Sequence, residues 1–456
     1  MKAMEQVNLL EEQLNSFSSA ERTKALAELF ERFQAGDIPQ PEMRDALNVH
    51  AHSFFSYNAY GFSPSALAWL AKMNGYSMMG IVDFDTLDGV DEFLGACELL
   101  GVRGIAGIET RVYVPEFKEA EINSPGEPGI AYHMGTGFIS SHVPDYVEAG
   151  LTDIRQSAEA RNRQILAKVN VFLAPLELDY EMDILPLTPS GYATERHMVY
   201  RIAQKAGEVL EDPAGFWEEK LGLSLNEVQA VMKDQTAFQN LLRKRLMKQG
   251  GVAYVQPDAG TFPLVDDFHA IVQGAGALPC SAWLDGLSRG EQDIERLLSL
   301  LMEKGARALN IVPDRNWNIK DPDLKAQKIK ELYRVVTLAE QRGLPVLVGT
   351  EMNSPGQKWV DDFEAPELAP VKDSFIRGAL TIYGHTRMQR LWEMGATSEW
   401  AEENFPDWIS RVRFFEDAGR LIPPEWTSQA VHGWITQKLR PAQVKSRIRK
   451  ENESKT

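Results

Sequence analysis

Two histidines one residue apart, His50 and His52, close an apolar run in the segment LNVHAHSFFSY. Side chains two apart in an extended segment face the same way, so the pair can offer two imidazoles to one metal ion. The run MMGIVDF stops at Asp83, and the run GIAGIE stops at Glu109. Glu109 reads as a metal ligand or as a partner for Arg103 or Arg111. Asp83 reads as a catalytic carboxylate beside Glu109, or as the carboxylate that orients a ligating histidine. A later run, LPVLVGTEMN, ends on Glu351 and Asn353, the same spacing with oxygen donors. The turn-forming Asn353-Ser354-Pro355-Gly356 gives that pair a structural reading as well. His133, in the short run AYHMGTGF, is equally a ligand or a core histidine. Mixed imidazole and carboxylate donors suit zinc, manganese or iron.

Strand ends must carry these residues. Between the first three runs lie two segments with helical punctuation. Ser63-Pro64 opens one and Gly75 ends it; Asp88 opens the other and Gly101 ends it. Strand, helix, strand, helix, strand predicts a parallel sheet, and in barrels of that kind the C-terminal strand ends carry the chemistry. Residues 1–45 form a helical preface with Leu26, Leu29, Phe30 and Phe33 on one face. Residues 143–250 are helical in pattern and too long for a crossover, so they read as an insertion between strands. The alternation resumes near 265, with strands over 277–284 and 308–312. After the strand ending at Glu351 the chain is again helical.

The chain has 456 residues and a formal charge of -17. A phosphate backbone is repelled by that charge, which excludes general nucleic-acid binding but leaves room for a small phosphorylated substrate. Cys97 and Cys280 are the only cysteines and read as small core residues in a reducing compartment. No apolar run reaches membrane-spanning length and the N-terminus lacks the apolar centre of a signal peptide, so a cytoplasmic protein with no membrane partner is expected. Two look-alikes are rejected. DFDTLDG lacks the later ligands of a calcium loop, and Gly274-Ala275-Gly276 is a lone G-x-G turn.

The motif order resembles the PHP (polymerase and histidinol phosphatase) superfamily. VHAHSFFSY is similar to its H-x-H-x-x-x-S opening, IVDFDTLDG to its T-D-H-D-T-x-x-G, GIET to its third motif and HMGTGF to the segment that follows. The resemblance implies a distorted (β/α)7 barrel, TIM-like, over residues 46–355. A helical N-terminal extension (1–45), a helical insertion (about 143–250) and a helical C-terminal extension (356–456) complete the chain. It further implies hydrolysis of phosphate esters, on small nucleotides in the branch whose insertion ARNRQILAKV and TERHMVYRIA resemble. There an Arg and a His hold phosphate, mapping onto Arg161 and His197. The implied metal ligands are His50, His52, Glu109, His133 and Glu351, for one or at most two divalent ions. Phe84, Trp283 and Asn353 stand where the family has histidines. These losses support an alternative, a catalytically degenerate member kept for binding or assembly.

Overall fold

Seven strands form one sheet in chain order: β1 (Arg44–Ala51), β2 (Tyr76–Phe84), β3 (Arg103–Tyr113), β4 (Ile130–Thr136), β5 (Leu278–Trp283), β6 (Ala308–Ile311) and β7 (Val346–Val348). In this computed structural model, which describes residues 2–257, 260–431, 433 and 435–453, the sheet curls until its edges meet. Ala51 bridges Glu351 in parallel; His52 N donates to Glu351 O and Glu351 N to His50 O, each at 2.8 Å. The two candidate ligand runs are thereby hydrogen-bonded to one another. Close approach here needs Gly349, where a Cβ would lie 2.4 Å from Asn48 Oδ1 and 2.5 Å from His50 N.

Six strands run parallel. The three runs that read as a parallel sheet, β1 to β3, are parallel, whereas β4 is antiparallel to both β3 and β5. The helices α1 (Lys2–Gln13) and α2 (Ser19–Gln34) precede the barrel, and α3 (Pro64–Met73) and α4 (Val90–Leu100) make its first two crossovers. Ser63 caps α3 by accepting from Ala66 N, and α4 ends on Gly101 in the left-handed conformation. Asp88 does not cap α4; Gly89 holds that position.

Between β4 and β5 the chain builds α5 (Asp145–Leu173), α6 (Glu195–Val209), α7 (Pro213–Leu221), α8 (Leu225–Met232), α9 (Gln235–Leu246) and α10 (Val265–Gly274). From Ile165 to Ala253 this segment has its own apolar core, centred on Trp217, Phe238 and Leu242. α1, α2 and the helices that follow β7 instead share the barrel's core. Short α11 (Arg289–Gln292), α12 (Ile294–Glu303), α13 (Asp314–Trp317) and α14 (Pro322–Gln341) complete the barrel. After β7, α15 (Lys372–Trp392) closes the end opposite the candidate ligands. Gly378 sits against Val346 at the start of β7, Arg103 at the start of β3 lies over Tyr383, and His385 Nε2 meets Gly137 O at 3.2 Å. Cys97 and Cys280 are buried free thiols, as their apolar settings predict. No helix among the described residues is long and apolar enough to cross a membrane.

Candidate metal centre and cationic cavity

The end of β1 places His50 and His52 on the barrel axis, and β3 brings Glu109 to meet them. All three are buried, and their donor atoms lie within 4.8 Å of one another. Glu109 Oε2 is 3.4 Å from His50 Nε2 and 3.2 Å from His52 Nε2.

The far sides of both rings are held. His50 Nδ1 donates to Asn310 Oδ1 at 2.9 Å, from the middle of β6. His52 Nδ1 donates to Ser56 Oγ at 3.2 Å. Ser56 in turn donates to Asp83 Oδ1 at 2.7 Å, so its oxygen is left to accept. Asp83 also takes Ser53 N at 2.7 Å and Ser53 Oγ at 2.6 Å. It stands behind His52 as the carboxylate that orients it, through one hydroxyl, and is not part of the three-donor group. With Nδ1 protonated, His52 Nε2 carries a lone pair, and this buried atom has no hydrogen-bond partner among the described residues. A lone pair aimed at a carboxylate is repulsive unless a cation sits between them. Burial costs His50 its charge, but Glu109 outweighs it and raises the His50 pKa. Against its own burial, Glu109 is drawn down to about 2 by His50 and His52. The donors, tautomers and orphaned nitrogen fit a divalent metal ion held by His50, His52 and Glu109.

The remaining expected ligands lie elsewhere. Because β4 is antiparallel, His133 pairs with Thr110, one position past Glu109, and so faces the helices rather than the axis. Its Nε2 meets His269 Nε2 on α10 at 2.6 Å, and His269 Nδ1 donates to Lys304 O at 2.7 Å. His133 therefore donates. Burial, then His269, holds its pKa well below the ordinary value. It is a core histidine. Glu351 does reach the mouth, with its backbone in the left-handed region at φ 63°. Its carboxylate, however, is taken by Arg315 at 2.8 and 3.1 Å and by Gln357 at 3.3 Å. Burial opposes its ionisation, and Arg315 and then His50 override that.

Above the three donors lies a cavity of about 510 Å³, roofed by the insertion. Seven cationic side chains line it: Arg111, Arg161, Arg196, Arg243, Lys244, Lys248 and Arg315. Only five anionic ones do: Asp85, Glu109, Glu127, Glu195 and Glu351. In a chain of charge -17, this local surplus of cations gives the cavity wall a field that suits an anion. Buried Glu195 is the hub, with Lys248 at 2.8 Å, Arg161 at 2.9 Å, Arg243 at 3.2 Å and Arg111 at 4.0 Å. These neighbours overcome burial and hold its carboxyl well below the usual range. Arg161 thus lines the cavity but is engaged with Glu195. Arg196 has no carboxylate within ion-pair distance among the described residues; it donates to Asn240 at 2.9 Å. Burial, then Arg243, lowers its pKa to about 10.

His197 is placed differently from the expectation. Its Nδ1 accepts from Thr194 N at 3.1 Å, capping α6, and its ring stands edge-on to Tyr57 at 5.0 Å. Burial lowers its pKa to about 3, so the ring is neutral and does not line the cavity. One residue earlier, Arg196 lines the cavity in its place.

Two solved structures align with most of the chain. An amidohydrolase from Chromobacterium violaceum, with bound sulfate and no metal, aligns with a TM-score of 0.48 at 17% identity, over 70% of this chain and 91% of its own. A protein from Bifidobacterium adolescentis, described as a candidate metal-dependent phosphoesterase, aligns with a TM-score of 0.44, also at 17% identity, over 74% of this chain and 97% of its own. No protein-family model matches the chain, and no curated protein matches it.

Several participants escaped the sequence reading. Asn310 lies in the strand ALNIV, where a lone buried polar residue was the available signal. Ser56 is the Ser of VHAHSFFSY that follows the two aromatics. Arg243 and Lys248 gave no signal beyond their charge, because only the folded insertion brings them to the barrel mouth, whereas Arg111 stands on β3 two residues past Glu109 and pairs with Glu127 and Glu195 rather than with Glu109.

Proposed function

We propose that the protein is a metal-dependent hydrolase of phosphate esters acting on a small phosphorylated substrate. The observation that carries this reading is the juxtaposition of two converging imidazole nitrogens and Glu109 with a cavity wall richer in cations than in carboxylates. A divalent ion bound there, zinc, manganese or iron, supplies a Lewis acid that polarises a phosphoryl oxygen and makes water acidic enough to attack.

The protein's own groups do the rest. His50 and His52 present neutral Nε2 atoms because Asn310 and Ser56 hold their Nδ1 protons. Arg196 is a desolvated cation without a carboxylate beside it, so a phosphate oxygen there relieves an unfavourable burial. Arg161 reaches the same anion by sharing its guanidinium between Glu195 and substrate. Tyr57, Phe84, Tyr132 and Phe262 also line the cavity, so the substrate's remainder is received by aromatic rings rather than open water. The test is turnover of a panel of mono- and diesters, nucleotides included, with manganese and with zinc.

A second reading is favoured by one observation. The Phe84 ring lies flat on His52, centroids 5.0 Å apart at 6°, and fills with carbon a position where the resemblance implies another ligand. On that reading the barrel binds anions without cleaving them. Phosphate binding by calorimetry with no turnover on any ester would decide for it.

A further inference from the structure

We infer that Tyr132 is a catalytic proton donor, delivering its phenolic hydrogen to the leaving alcohol oxygen of the substrate. This role presupposes the phosphoester chemistry proposed above. Three phenols line the cavity: Tyr57, Tyr132 and Tyr192. Tyr192 already donates its hydroxyl hydrogen to Asp85 at 2.5 Å, and burial raises the Tyr57 pKa to about 12. Tyr132 differs on both counts. Its hydroxyl has no hydrogen-bond partner among the described residues. Burial alone would raise its pKa, but Lys248, then Arg111 and Arg243, bring it below the ordinary value.

Its position is fixed at the barrel mouth. Asn123 Oδ1 accepts from Tyr132 N at 2.7 Å, and Asn123 Nδ2 donates to Tyr132 O at 3.4 Å and to Ala282 O at 2.8 Å. That side chain is wedged where β4 and β5 part, just past their last register pair, His133 with Ser281. The Tyr132 ring meets Phe84 edge-on at 6.2 Å, and Phe84 stacks on His52. Tyr132 pairs with Arg111, two residues past Glu109, so the phenol shares the sheet face of Glu109 and lines the same cavity. The Arg111 guanidinium lies 6.0 Å from the phenol ring centroid. Of the other cavity carboxyls, Glu127 is held ionised against burial chiefly by Arg111, and Glu195 by Lys248 and then Arg243. Asp85, whose Oδ2 accepts from Tyr192, is a competing donor, since burial raises its pKa and its Oδ1 has no partner among the described residues.

In the step, water adds to phosphorus and the bond from phosphorus to the alcohol oxygen breaks. Its electron pair goes to that oxygen, which takes the Tyr132 proton. The proton shed by the attacking water restores the phenol through solvent. The tyrosinate left between turns is stabilised by Lys248, Arg111 and Arg243. A donor of this kind matters most where the leaving group is a poor one.

The experiment compares manganese-loaded wild type and Tyr132→Phe on glycerol 1-phosphate, a poor leaving group, and on 4-nitrophenyl phosphate, which leaves without help. The variant is expected to lose roughly 100-fold on the alkyl ester, at least about tenfold more than on the nitrophenyl ester. A merely structural tyrosine would lower both rates equally, and equal losses overturn the role. Without substrate, ultraviolet difference titration of wild type should show one phenol ionising below the ordinary tyrosine value of about 10. That step is absent in Tyr132→Phe and shifts upward in Lys248→Met; its absence from wild type also overturns the role. Turnover of neither ester by wild type overturns the phosphoesterase reading, and the donor with it.

Discussion

His52 Nε2 lies 3.2 Å from Glu109 Oε2, yet no hydrogen bond joins this nitrogen to any described residue. The ring's N–H points the other way, to Ser56. Two lone-pair atoms buried face to face are costly without a cation between them. In the metal-free protein the nearest remedy is a proton on His50, whose pKa Glu109 raises.

That proton gives metal-free stability a defined pH dependence. The folded pKa of His50 lies above its unfolded value, so its contribution is complete below about pH 6.5 and is lost as pH rises through the folded value. Glu109, depressed to about 2, reports the same interaction from the acid side, where stability is lost as pH falls from its unfolded value toward 2. In chelator, the melting temperature should therefore decline as pH is raised above the unfolded His50 value of about 6.5. Saturating manganese should abolish that decline, because the ion replaces the proton. Thermal melts across pH with and without the ion check this; identical profiles would remove His50 from the site.

Ser56→Ala should weaken metal binding roughly 10- to 100-fold, the usual effect of losing the partner that orients a ligating histidine. Its cost to folding should stay near 1–2 kcal/mol, since Asp83 keeps both bonds from Ser53. Calorimetric titration with manganese, set beside denaturant melts, separates the two effects. Unchanged affinity would mean that His52 needs no such anchor.

His133→Ala should do the reverse. Metal affinity should stay within about twofold, while stability falls by about 2–4 kcal/mol from the lost packing and the unpaired His269 nitrogen. Loss of bound metal in this variant would return His133 to the ligand set.

Arg196→Ala should lower phosphate affinity about tenfold, close to 1.4 kcal/mol, with little change in melting temperature. Arg161→Ala should lower affinity and stability together, because Glu195 loses a buried partner. His197→Ala should loosen the start of α6 without removing anion binding. Calorimetry with inorganic phosphate ranks the three, and a dominant effect of His197 would contradict the placement described.

Much of the fold was legible because β1, β2 and β3 each end an apolar run on a polar residue, with capped helices between. His50, His52 and Glu109 meet because consecutive parallel strands put their ends side by side. The direction of β4 was not legible. AYHMGTGF reads the same in either orientation, and the face His133 takes depends on register against β3. The reading of His197 failed on a smaller scale. Arg196 and His197 are neighbours on a helix, about 100° apart around its axis, and a resemblance between segments does not decide which of them faces the cavity. Glu351 reached the mouth as expected, but Arg315, distant in sequence, takes its carboxylate. Pairings of that kind form only in the folded chain.

The central claim is tested most directly by titrating metal-free protein with manganese while following both bound ion per chain and hydrolysis of 4-nitrophenyl phosphate. Hydrolysis should rise in step with the first ion bound and level off at one, at most two, per chain. Both binding and hydrolysis should be lost in Glu109→Gln. An ion that binds without hydrolysis, hydrolysis that persists in chelator, or a Glu109→Gln variant that retains both would contradict the account.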